Sequence, residues 1–380
     1  MKKKASKTMT KREEWKMTNE RQNATIEKLI KVVDSIYNQL NDGDIPTMDL
    51  SLRSKKNIEF DPRSNVWKYG DIMTNRTCKT VKGAMMMLRT IHMVDFIDGM
   101  IKNNKSSTLR EMYYISEGWG NGKFGSQDES NLLAEDLEIV SACMREDFKL
   151  RPEEDGARVM GDITISELNR KGERKTINCR DDVGDSGYGI PFNVEKEKVT
   201  IKKGNAKFIV AIETGGMFDR LVENGFDEKH NALLIHLKGQ PARSTRRFIK
   251  RLNEELRIPV TVFTDGDPWS FRIFASVAYG AIKTAHISDY LATPTSQFIG
   301  ITATDILNYK LPTDRLSEQD IGALKSELTD PRFKDEFWVS EIEAMLSMKK
   351  KAEQQALAKY GLDFVTDKYL PEKLTDLGIL

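Results

Sequence analysis

The sequence predicts a mixed, multidomain α/β protein, and three observations carry that prediction. Its 380 residues and 43.4 kDa exceed one ordinary small domain and suit two or three. Short apolar runs at 207–213, 232–237 and 258–264 alternate with helical stretches at 217–224 and 244–256, the pattern of a parallel sheet. Residues before these read mainly as helices joined by tight turns, so the two halves of the chain differ in kind.

Taken in order, the elements begin with a basic tail. Lys2, Lys3, Lys4, Lys7, Lys11 and Arg12 precede any acid, and Glu13, Glu14 and Trp15 follow where a signal peptide would place an apolar stretch. Ile26, Leu29, Ile30, Val33, Ile36 and Leu40 recur at helical spacing until Asn41-Asp42-Gly43 ends the pattern. That stripe needs a cover, from the same chain or from a partner subunit. Residues 44–70 read as loop and short strand, with Val66-Trp67-Lys68-Tyr69 before a glycine. A long helix is expected over 80–101, with Met85, Met86, Leu88, Ile91, Val94 and Ile97 on its inner face. After a break at 103–107, Ser107 or Thr108 can cap a helix over 109–116 that carries Tyr113 and Tyr114. A glycine-rich loop at 118–125 leads to an amphipathic helix at 129–143, and 161–165 is β-prone. Short helices followed by such a strand are compatible with a winged helix-turn-helix. Residues 170–203 are charged and weakly periodic, which places a domain boundary there, and 317–359 reads as helical and charged. The resulting division is an N-terminal extension (1–64), a helical domain (65–170), a linker (171–203) and an α/β domain with a helical elaboration (204–380).

Composition excludes several classes. Lys and Arg number 59 against 58 Asp and Glu, so a nucleic-acid contact would need its positive charge gathered on one face. Arg243, Arg246, Arg247, Lys250 and Arg251 form such a cluster, although a basic run also fits a solvated face. Cys78, Cys143 and Cys179 show no paired spacing, which fits a reducing cytoplasm and excludes a disulfide framework or zinc ribbon. No apolar run approaches the ~20 residues that span a bilayer. There is no Gly-x-x-x-x-Gly-Lys-Ser/Thr loop for ATP, and no Gly-x-Gly-x-x-Gly after the first strand for a dinucleotide.

The chemistry-bearing residues stand at strand ends and on one helix. Glu213 closes the first apolar run, and Asp265-Gly266-Asp267 closes the third. In an open parallel sheet, function collects beyond the carboxyl ends of strands, so these acids are expected at one edge. Oxygen donors that leave room for water and phosphate suit Mg²⁺. A capping acid plus an ordinary Asp-Gly turn would account for either motif alone. On a helix, Tyr114 lies one turn beyond Arg110 on the same face. A phenol with a reference pKa near ~10 is a poor nucleophile, and a guanidinium can stabilise its phenolate or grip the phosphate under attack. An aromatic pair in a helical core is the plainer alternative. Lys238-Gly-Gln-Pro-Ala-Arg243 follows the second strand and opens a helix, where Lys238, Arg243, Arg246 and Arg247 could clamp phosphate.

Four motifs, Thr108-Leu-Arg-Glu-Met-Tyr-Tyr114, Ile212-Glu-Thr-Gly-Gly-Met-Phe218, Lys238-Gly-Gln-Pro241 and Thr264-Asp-Gly-Asp-Pro-Trp269, occur in this order. Together they resemble the A-subunit family of archaeal type IIB topoisomerases, which includes the meiotic double-strand-break transesterases. The likeness runs, with gaps, from about residue 65 to the C-terminus. The resemblance implies a winged-helix, CAP-like domain followed by a Toprim domain. It selects Tyr114 over Tyr113 as nucleophile, Arg110 as its helper, and Glu213, Asp265 and Asp267 as Mg²⁺ ligands. It also implies duplex DNA as substrate, a homodimer in which each tyrosine meets its partner's metal, and a 5′-phosphotyrosyl end. A separate ATP-binding B subunit would complete an A2B2 heterotetramer, with the helix over 26–40 as its natural contact. Competing expectations are a family member that cleaves without a B subunit, a Toprim nuclease or primase with a structural Tyr pair, and a non-catalytic assembly factor.

Overall fold

The computed structural model describes residues 11–151, 157–169 and 173–380, with side chains from residue 20 onward. Lys2, Lys3, Lys4 and Lys7 of the basic tail lie outside the described residues. The chain divides into two units, Met1–Asn57 with Tyr69–Glu154 and Ile58–Lys68 with Asp155–Leu380.

The first unit is built on helices α1 (Lys11–Asn41), α2 (Val81–Lys102), α3 (Leu109–Ile115) and α4 (Gln127–Ser141). Leu29 of α1, Met93 and Ile97 of α2, Met112 of α3 and Leu133 and Leu137 of α4 meet in one core. A second, smaller core joins Val32 and Ile36 to Met48 and Leu50. The expected stripe on α1 is therefore covered largely by its own chain, yet Ile30 and Leu40 remain exposed. Thr47–Ser51 pairs antiparallel with Met73–Thr77. Arg53 and Arg76 both pair with the buried Asp136 of α4, and Arg53 also reaches Glu135 at 2.8 Å. These contacts fasten the loop after the first of those strands, and the second strand itself, to α4.

In the second unit, strands β1 (Arg158–Met160), β2 (Phe208–Ile212), β3 (Ala232–His236), β4 (Val260–Phe263) and β5 (Gln297–Phe298) join Tyr188–Gly189 in a six-stranded sheet. Its order is Tyr188–Gly189, β1, β3, β2, β4, β5. The strands β3, β2, β4 and β5 run parallel, as the alternation predicts, and β1 adds antiparallel at the β3 edge. Every residue of β2 is buried, because helices cover both faces of a parallel sheet. Helix α5 (Gly215–Glu223) follows β2, α6 (Arg243–Leu256) follows β3 and α7 (Pro268–Tyr279) follows β4.

Two expectations change here. The β-prone 161–165 stretch does not act as a wing of the helical unit: Ile163–Leu168 belongs to the second unit, paired with Arg174–Asn178 and Val199–Lys203. The 171–203 stretch is accordingly no plain linker, since two of those three strands lie in it. Their largely polar sequences, such as Arg174-Lys-Thr-Ile-Asn178, leave no continuous apolar run to signal a strand. A hairpin of Ile58–Asp61 and Val66–Tyr69 is also clustered largely with the second unit, where Phe60 packs on Tyr279 at 6.0 Å.

Candidate active site

Helix α3 is short, so its ends must be fixed by side chains. Thr108 caps it in a reciprocal box: its hydroxyl accepts from the Glu111 N–H at 3.0 Å, and its own N–H donates to Glu111 Oε2 at 2.7 Å. At the other end Ser116 Oγ donates to the Tyr113 carbonyl at 2.6 Å and accepts from the buried Phe124 N–H at 3.2 Å. Between these anchors, Met112 is fully buried and Tyr113 packs against the core, while Tyr114 is 58% exposed. Arg110 is exposed one turn earlier on the same face. The stretch after the helix, expected as a loop, is a 3₁₀ helix over Ser116–Gly122 broken at Gly120. Trp119 stacks on His92 at 5.2 Å, and a Cβ at Gly122 would lie 2.9 Å from that imidazole, so a larger residue there would have to displace it.

In the second unit the acids stand where the sheet puts them. Ile212 pairs with Phe263, so Glu213 and Asp265 leave neighbouring parallel strands at the same carboxyl edge. The Glu213 N–H donates to the Phe263 carbonyl at 3.0 Å, and the Asp265 N–H donates to Glu213 Oε2 at 3.0 Å. Asp267 caps α7 by accepting from the Ser270 N–H at 2.8 Å. Gly266 passes so close to Ile301 that a Cβ would meet its side chain at 2.8 Å. Burial pushes the Asp265 carboxyl up to about 7, reinforced by the negative neighbours Glu213, Asp267 and Glu353 and opposed by the Gln354 N–H. Glu213 is also raised by burial, against the Asp265 N–H and the Ser270 hydroxyl.

These are oxygen donors, two of them desolvated, and among the described residues none of the three forms an ion pair; the nearby Lys351 pairs with Asp320. Such a donor set fits a hard divalent cation. Among the described residues no three His, Cys, Asp or Glu side chains already sit at metal-holding distance, so the acids share an edge without closing on one point.

The basic cluster separates into unlike residues. Lys238 is exposed in a left-handed turn, and Arg243 is half-buried at the start of α6. Arg246 is buried and reaches Ser276 Oγ at 3.4 Å. Arg247 pairs with Glu195 at 2.9 Å and lies 4.1 Å from the Tyr290 ring. Helical periodicity turns Arg246 and Arg247 into the fold, away from the phosphate-clamp role expected of them. The sequence reading missed Gln354, whose N–H donates to Asp265 Oδ1 at 2.8 Å. It lies in a charged stretch that reads only as helix, and nothing in its local pattern points to the acids.

Residues 208–374 match the family of the Toprim domain of the topoisomerase 6 A subunit and Spo11. Residues 153–205 match an all-beta domain of the DNA topoisomerase VI alpha subunit, and 85–150 match the type IIB DNA topoisomerase family. The chain is 58% identical over 352 residues to the A subunit of type 2 DNA topoisomerase 6 from Archaeoglobus fulgidus, covering 93% of this chain and 97% of that protein. The chain belongs to the family of topoisomerase VI A subunits. Its likeness to the corresponding A subunit of Methanosarcina acetivorans is 57% over 93% of this chain and 94% of that one. For Haloarcula marismortui the figures are 55%, 93% and 96%. As the A subunit of a type IIB topoisomerase, it is an enzyme component that works on DNA with a B subunit. The Toprim domain brings general use of a divalent metal, and its match spans all three acids. No described helix is long and apolar enough to cross a membrane.

Proposed function

We propose that this chain is the DNA-cleaving component of a cytoplasmic topoisomerase VI, with Tyr114 as nucleophile. The observation that carries the reading is the exposed Tyr114 beside Arg110 on a doubly anchored helix, in a chain whose Toprim sheet presents Glu213 and Asp265 at one edge. The Tyr114 hydroxyl attacks a DNA phosphodiester phosphorus. A bond from its oxygen to phosphorus forms as the bond to the 3′ oxygen breaks; the phenolic proton is lost and the 3′ oxygen gains one. One ester replaces another, so the 5′-phosphotyrosyl link stores the bond and the reverse attack reseals the strand. Arg110 neutralises charge on the phosphate under attack. Glu213, Asp265 and Asp267 are the residues that would hold Mg²⁺, which supplies Lewis-acid stabilisation of a phosphate oxygen when bound. Lys238 and Arg243 contact the DNA backbone.

Two such chains form a homodimer, each tyrosine serving the phosphate held by its partner's acids, and two B subunits complete an A2B2 heterotetramer. The B subunits bind ATP and drive strand passage, which relaxes supercoils and separates linked circles. The exposed Ile30 and Leu40 on α1 suit the B-subunit contact. In assays of purified A and B subunits with supercoiled plasmid and Mg²⁺, Tyr114→Phe is expected to abolish cleavage and relaxation while DNA binding persists. Cleavage retained by that variant would overturn the reading in favour of a metal-dependent nuclease.

A further inference from the structure

Gln354 is fully buried and reaches both strand ends that carry the acids. Besides its backbone bond to Asp265, its side-chain Oε1 accepts from Thr214 Oγ1 at 2.9 Å, immediately after Glu213. The residues before it are fastened to the same turn. Ala352 and Gly266 exchange backbone hydrogen bonds of 2.8 and 3.3 Å. Lys351 pairs at 2.9 Å with Asp320, which accepts at 2.8 Å from the indole of Trp269, two residues beyond Asp267. Residues 351–354 thus form a strap from the C-terminal region that touches the surroundings of all three acids. Within it, the Gln354 Nε2 is buried without a hydrogen-bond partner among the described residues. An unsatisfied buried donor costs stability, and here it sits on the residue that links both strand ends.

We infer that Gln354 is a positioning residue: through Thr214 and Asp265 it sets the placement of the Glu213 and Asp265 carboxylates, and thereby the cation affinity of the site. This rests on the reading of those acids as the divalent-metal site. The backbone bond to Asp265 survives any substitution other than proline, whereas the bond to Thr214 depends on the side chain. Partners that orient metal ligands typically govern affinity by ~10-fold or more.

The test is Mn²⁺ binding to the nucleotide-free A–B holoenzyme, followed by the loss of the free-ion paramagnetic signal. Gln354→Leu, which removes the amide, and the nearly isosteric Thr214→Val are each expected to weaken the Kd about 10-fold. The double variant should be no weaker than either alone, because both remove the same hydrogen bond. DNA cleavage at saturating Mn²⁺ should stay near the parent rate, since the loss lies in affinity. A purely structural role would instead lower thermal stability and leave the Kd unmoved. If Gln354→Leu folds poorly, Thr214→Val carries the comparison. Asp265→Asn serves as reference. Parent-like binding by the Gln354 and Thr214 variants, with Asp265→Asn weakened, overturns the role given to Gln354. Unchanged binding by Asp265→Asn overturns the metal-site reading, and this inference with it.

Discussion

Tyr113 and Tyr114 share a chemistry and part company in burial. Helix α3 has few core-facing positions; Leu109, Met112 and Tyr113 take them, and Tyr114 is left outside. Spacing in the sequence put Tyr114 on the face of Arg110 but could not decide which ring was buried, because that depends on packing from other helices. The acids were easier to read, since a carboxylate closing an apolar run is local information. Their electrostatics were not legible, because burial and the three neighbouring acids come from the folded sheet. Asp265 shows the consequence. Its folded carboxyl is raised to about 7 against an ordinary value of 3.8. Between these values the folded state holds a proton that the unfolded chain has lost. The associated stability is full below pH ~4 and disappears as pH rises through about 7, a change on the order of a few kcal/mol. Denaturant titrations in EDTA should therefore show stability falling over that window, with a shallower fall in Asp265→Asn. Equal slopes would contradict the assigned environment.

At the scale of elements, the three parallel strands β2, β3 and β4 and the helices α5 and α6 between them fall within a few residues of their expected places, whereas β1, β5 and Tyr188–Gly189 of the same sheet are too short to signal themselves. Continuous apolar runs and amphipathic periods are strong local signals. The polar three-stranded sheet that includes Arg174–Asn178 and Val199–Lys203 escaped because only one face meets a core. The hairpin of Ile58–Asp61 and Val66–Tyr69 escaped for another reason: its affiliation with the second unit is a long-range property. Helix α6 supplies the sharpest contrast between a basic run and a basic surface. Arg247 is engaged by Glu195 and Tyr290, so Arg247→Ala should lower unfolding stability by roughly 2–4 kcal/mol, measured by denaturant melts. It should leave the salt dependence of DNA binding unchanged. Lys238→Ala should leave stability near parent and reduce that salt slope by about one counterion. The reverse pattern would place Arg247 at the DNA and Lys238 away from it.

For the whole molecule, the proposed sharing of sites between protomers is tested by mixed dimers. Holoenzyme with Tyr114→Phe in one protomer and Asp265→Asn in the other has one intact tyrosine and one intact acid set. If each tyrosine works with its partner's acids, one site is whole and the dimer nicks a single strand; if each works with its own, both sites are broken and no cleavage occurs. The family resemblance, and not periodicity, suggested this division of labour. The most direct measurement concerns the covalent bond itself. Purified A and B subunits are trapped during Mg²⁺-dependent cleavage, digested with protease, and the DNA-linked peptide is mapped by mass. The expected adduct is on Tyr114, joined to a 5′ phosphate. A DNA adduct on Tyr113 or any other residue, or cleavage with no adduct, would contradict the account.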